Sequence, residues 1–154
     1  MKKILKILVI VIFVTSLLGC QDKYHETYTL RYYYIEGCAN CEFFTKKGIP
    51  LIEKEFGKHM KIVKYNMDDA TSFDKVKKAY DHDLEQLQDF DYDQYGVGPF
   101  LVLENHYAQL GVYDIEKFLN NLIRAVSGEK LMAPEKIEKY YYFCLLYTSD
   151  AADD

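Results

Sequence analysis

The sequence predicts an α/β fold, a central mixed sheet flanked by helices, and three observations carry that prediction. Residues 27–35, 61–67, 99–103 and 107–112 are short apolar or alternating runs of strand character. Residues 40–56, 72–90 and 114–126 instead space their apolar side chains at helical intervals. The two kinds interleave as β-α-β-α-β-β-α, an order that calls for a sheet with helices packed on it. The third observation is a pair of cysteines, Cys38 and Cys41, placed where the first strand gives way to the first helix.

Each element has its own justification. Tyr32, Tyr33 and Tyr34 give residues 27–35 the aromatic content of a strand, read as core and sheet surface, with some rings near a groove beside Cys38. In residues 40–56, Phe43, Phe44, Leu51, Ile52 and Phe56 recur at roughly helical spacing; Gly48 and Pro50 are expected to kink this helix and Gly57 to close it. Residues 61–67 alternate, Asp68 and Asp69 turn the chain, and residues 72–90 form a charged helix. A buried strand at 99–103, a turn at Glu104, Asn105 and His106, and a returning strand at 107–112 make a hairpin. Asp114 then caps a helix whose Ile115, Phe118, Leu119, Leu122, Ile123 and Val126 share one face, with Gly128 past its end. Residues 129–143, with Pro134 opening a short helical stretch, read as a peripheral extension.

The two ends are read separately from the fold. Lys2, Lys3 and Lys6 precede an apolar run at 7–14 that is too short for a comfortable span, and the pattern has the form of a targeting segment. Leu17, Leu18, Gly19 and Cys20 resemble the lipobox of bacterial lipoproteins. That resemblance implies a signal peptide at 1–19, a lipidated Cys20 opening a tether at 20–26, and a chain held on the extracytoplasmic face of the cell membrane. Two acyl chains at about 0.8 kcal/mol per buried methylene suffice for stable anchoring. Residues 144–154, CLLYTSDAADD, resemble the translation of a sequencing adapter and are set aside as a non-native tail.

With Cys20 and Cys144 assigned to those ends, only Cys38 and Cys41 remain, which excludes a disulfide framework and a four-ligand zinc site unless histidines join them. His25, His59, His82 and His106 are scattered without ligand spacing. The run Asp89 to Asp93 imitates the start of a calcium loop, but Gln94 stands at the glycine position and Phe100 at the glutamate position, so it reads as a solvated loop. A net charge of −5 gives no basis for nucleic-acid binding.

Two thiols three residues apart at a helix start can close and open a disulfide. The helix N-terminus favours the first sulfur as thiolate, so Cys38 is the expected nucleophile, and Cys41, one turn on, resolves the mixed species.

On these marks residues 27–128 resemble the thioredoxin/glutaredoxin-fold family. The marks are the strand leading to Cys38, Ala39, Asn40 and Cys41 at a helix start, the strand from Ile62 to Met67, and Gly98-Pro99 opening a strand pair that ends at Gly111 before a helix. The resemblance implies that Pro99 is a cis-proline beside the redox pair and that Gly98 offers backbone to a bound substrate. The chain departs from the family in three places. Gly37 precedes the pair where a tryptophan is common, Ala39-Asn40 is neither Gly-Pro nor Pro-His, and Tyr32 occupies the place of a buried acid, leaving Glu36 or a water to move protons. Lys64 falls where thioredoxins carry a lysine near the site, or is simply a solvated strand residue.

The function so implied is a membrane-anchored thiol–disulfide oxidoreductase acting on exported protein or peptide thiols, without a cofactor, with electrons supplied through a membrane partner. Glu36 and Glu42 near the pair, and the lack of a histidine between the cysteines, point to a reductase or isomerase and not an oxidase. The alternative is a binding module on the same fold, a substrate adaptor or a Cu(I) chaperone holding the metal by the two thiolates.

Overall fold

The computed structural model describes residues 23–136 and 138–144; the leader, Cys20 and the tail from residue 145 lie outside the described residues. Strand β1 (Tyr28–Tyr34) leads into helix α1 (Ala39–Phe43), a π-helical turn (Phe44–Gly48) and helix α2 (Ile49–Phe56). Strand β2 (Met60–Asn66), helix α3 (Phe73–Glu85), the hairpin β3 (Phe100–Leu103) and β4 (Tyr107–Leu110), helix α4 (Ile115–Val126) and strand β5 (Lys139–Tyr142) follow. The sheet order is β2-β1-β3-β4-β5, with β1 and β2 parallel and the other neighbours antiparallel. This α/β architecture, a five-stranded mixed sheet flanked by helices, is compatible with a thioredoxin-like fold.

Both faces of the central strands are covered, which explains why β3 and β4 read as unbroken buried runs. The period of two sends Tyr32 to one face and Tyr33 to the other. Tyr32, Leu30, Leu101 and Leu103 pack with Phe44, Ile52, Phe56, Phe118 and Leu122 from α1 to α2 and α4. Tyr33, Phe100 and Val102 pack with Val76, Tyr80 and Leu84 of α3, and with Tyr141 of β5. Each fully buried large side chain contributes about 1.5–3 kcal/mol of transfer free energy. A buried polar knot ties α3 to the sheet: Asp83, 1% exposed, accepts hydrogen bonds from Tyr33 Oη at 2.6 Å and Arg31 Nε at 2.7 Å, while Arg31 Nη1 reaches Glu104 at 2.8 Å.

Three expectations are modified. The first helix does not simply kink at Gly48 and Pro50; it passes through the π-helical turn, which ends at Gly48. A Cβ on Gly48 would stand 2.6 Å from Cδ2 of Phe44, so only glycine lets that ring fill the core there. The charged helix stops at Glu85, because Leu87 and Phe90 turn in toward the sheet and Leu87 pairs with Phe143. Residues 139–142, expected in or beside a short helical stretch, instead form β5 on the sheet edge. The polar side chains of α4 hold this segment. Asn121, fully buried, accepts the Met132 N–H at 2.8 Å and donates to Tyr140 Oη at 2.9 Å, and Lys117 pairs with Glu135 at 3.0 Å.

Candidate redox site

β1 ends one short turn before the cysteines, and Gly37 makes that turn with φ +69°, a left-handed conformation that costs glycine little. Cys38 is the N-cap of α1: its Sγ accepts the Cys41 N–H at 3.1 Å, satisfying one of the donors a helix start leaves open. The two cysteines stand at disulfide distance, with Cα atoms 5.2 Å apart. Their surroundings differ. Cys41 is 2% exposed, whereas Cys38 is only partly covered, so a partner can reach the first sulfur and not the second.

The loop before β3 closes the site from the other side. The Gly98-Pro99 peptide bond is cis, as the family resemblance implies, and the Gly98 carbonyl oxygen lies 3.6 Å from Cys38 Sγ. The Pro99 carbonyl accepts the Gly111 N–H at 2.9 Å, tying this loop to the end of β4. A Cβ on Gly98 would meet Cys41 Sγ at 3.2 Å, which is a steric reason for glycine at this position.

Tyr32 is buried and donates its hydroxyl to the Cys41 carbonyl at 2.8 Å, with Thr45 Oγ1 at 3.1 Å. Burial raises the Tyr32 phenol above its ordinary value, so it acts there as a neutral donor. Glu36 is exposed and held by Asn66 Nδ2 at 2.9 Å, and its own N–H donates to Asp68 at 2.7 Å. Glu42 pairs with Lys46 at 2.9 Å, and Lys64 is exposed on β2.

The motifs set aside in the sequence stay apart from this site. His59 and His106 bond backbone carbonyls, His82 bonds Gln86, and among the described residues no group of three or more His, Cys, Asp or Glu side chains could hold a metal. Asp91 caps its own short turn through the Asp93 N–H and pairs with Lys139 at 2.6 Å. Among the described residues no helix is long and apolar enough to cross a membrane.

A groove of about 500 Å³ opens beside the pair, with Asn40, Val97 and Gly98 on one side and Tyr113, Lys136 and Lys139 on the other. That second side is not legible in the sequence, because Lys136, Glu138 and Lys139 reach the groove only through the pairing of β5 with β4. The one local signal is the strand propensity of three consecutive tyrosines, Tyr140, Tyr141 and Tyr142. No family model matches the chain, and neither the curated proteins nor the solved structures contain a match to it.

Proposed function

We propose that the protein is a thiol–disulfide oxidoreductase. The observation that carries the reading is the pairing of a partly open Cys38 at a helix N-cap with a buried Cys41, both against the Gly98-Pro99 loop. In the reductive direction the Cys38 thiolate attacks one sulfur of a substrate disulfide, the substrate S–S bond breaks, and the first substrate thiolate leaves. The Cys41 thiolate then attacks Cys38 Sγ, releasing the second substrate thiolate and closing the Cys38–Cys41 disulfide. Two electrons pass from the protein dithiol to the substrate, and a dithiol partner must restore them.

The direction we favour is reductive or isomerising. No histidine stands between the cysteines, and acidic Glu36 and Glu42 flank the pair, so the Cys38 thiolate is stabilised less than in a strong oxidase. A potential near the thioredoxin value of about −270 mV is expected, far from the oxidase value of about −120 mV. The lipobox resemblance at Cys20 supports an anchored, extracytoplasmic setting with exported proteins or peptides as substrates and a membrane partner as electron source.

Equilibration with a glutathione buffer and alkylation of the free thiols tests the reading. Cys38→Ser should abolish exchange, and Cys41→Ser should accumulate mixed disulfides; a potential above roughly −150 mV would reverse the direction. Stoichiometric Cu(I) uptake without turnover of any disulfide would favour the metal-chaperone alternative. Cys20→Ala should release the protein from the membrane fraction, and retention of a processed Cys20→Ala form would remove the anchor.

A further inference from the structure

The second wall of the groove is built by the segment that follows α4, and side chains of α4 hold that segment in place. Residues 129–136 cross α4 under the hold of Asn121 and Lys117, ahead of β5. At the groove, a tight turn closed by the Glu138 N–H on the Glu135 carbonyl at 2.9 Å holds Lys136 at φ +54°, a conformation unfavourable for a residue with a side chain.

The charged side chains of this wall are not equivalent. Glu138 is buried and accepts the Tyr113 N–H at 3.1 Å and the Glu135 N–H at 3.2 Å. Lys139 is committed to Asp91 at 2.6 Å. Lys136 faces only the ring of Tyr113, 5.5 Å from its ammonium, among the described residues. An exposed cation at the groove rim therefore stands without a carboxylate among the described residues, in a chain whose net charge is −5.

We propose that Lys136, Glu138 and Lys139 form the specificity wall of the substrate groove. Lys136 selects polypeptide disulfides that carry an Asp or Glu side chain next to the reacting cysteine. The inference rests on the redox reading above and deepens it. A peptide laid along the groove with one sulfur at Cys38 places its flanking side chains between Gly98 and the β5 wall, where charge complementarity with Lys136 favours a carboxylate. Lys136 acts on binding and takes no part in the electron transfer.

The test uses reduced full-length protein in single-turnover exchange with two synthetic peptides. Each contains one intramolecular disulfide, and they differ only in Asp or Lys beside one cysteine. Wild type should oxidise faster with the Asp peptide, by about threefold to fivefold, the ratio an exposed ion pair supports. Lys136→Gln should bring the ratio near one, Lys136→Glu should invert it, and raising the salt should flatten it in wild type. Equal rates for the two peptides, or a ratio unmoved by Lys136→Glu, overturns the proposal. Exchange with bis(2-hydroxyethyl) disulfide but with neither peptide also overturns it while leaving the redox reading intact. Absence of exchange with every disulfide removes both.

Discussion

Gly98→Ala places one methyl group against the redox pair, and its effect can be worked from the contacts. The new Cβ would lie 3.2 Å from Cys41 Sγ and 3.6 Å from Ile35 N and Met67 Cε, so only the sulfur contact is tighter than ordinary packing. Relief needs a shift of a few tenths of an ångström, which puts the cost at the low end of overpacking, about 1 kcal/mol. The cost should fall mostly on the oxidised form. There Cys41 Sγ is bonded to Cys38 and backed by the core, whereas a reduced Cys41 can rotate away from the methyl group. Destabilising the disulfide by about 1 kcal/mol relative to the dithiol raises a two-electron potential by about 20 mV. Equilibration of wild type and variant in glutathione buffers reads the potential, and urea unfolding of each form reads the stabilities. The oxidised variant should lose about 1 kcal/mol and the reduced variant distinctly less. Equal losses in the two forms, or a potential unchanged or more negative, would refute this account of why glycine stands there.

Other perturbations have separable outcomes. Gly48→Ala gains about 1 kcal/mol of helix propensity but drives a Cβ to 2.6 Å from a ring locked between Tyr32 and Phe118, so thermal denaturation should show net destabilisation. Asn121→Ala leaves the Met132 N–H without its acceptor and should cost about 2–3 kcal/mol, with faster amide exchange in residues 139–142 than in β3 as the local readout. Removing the Asp83 carboxylate by Asp83→Ala leaves the Tyr33 hydroxyl and Arg31 Nε without their acceptor, with Glu104 still pairing Arg31 Nη1, and chemical denaturation should register a loss of about 3 kcal/mol. Hydrogen bonding from Arg31 holds the Glu104 carboxyl below the usual range, so its stabilising share is complete above a pH of about 4.5 and is lost as pH falls through the lowered value. Because Glu104 is partly exposed, Glu104→Gln should flatten the acid limb of the stability curve by only a few tenths of a kcal/mol.

What the sequence disclosed was governed by local rules. Asp114 does cap the last helix, its Oδ1 accepting the Lys117 N–H at 3.0 Å, because capping depends on a residue and its neighbours alone. The strands were readable from composition, and Cys38 and Cys41 were placed at a helix start by the change of period around them. The misread parts depend on distant partners. KYYY after Pro134 carries no turn signal of its own and becomes a strand only because β4 offers an unpaired edge. Likewise Lys117 and Asn121 look like solvent-facing polar positions of an amphipathic helix, and are buried because the returning chain covers them. Tyr32 could be assigned to the core from its strand, but not its hydroxyl to the Cys41 carbonyl, since that contact joins two elements.

The strand order also bears on how the protein behaves at high concentration. A sheet ending in β2 and β5 offers two borders along which another copy could add its own strands. On one border the chain covers itself, with the Gln88 N–H donated to the Tyr142 carbonyl at 2.8 Å and Leu87 bridged to Phe143. On the other border Lys61 and Lys64 project exposed ammonium groups from β2. Adding a second copy there would bring like charges together and desolvate them. The lysines of β2 thus oppose edge-to-edge growth of a tyrosine-rich sheet of high strand propensity.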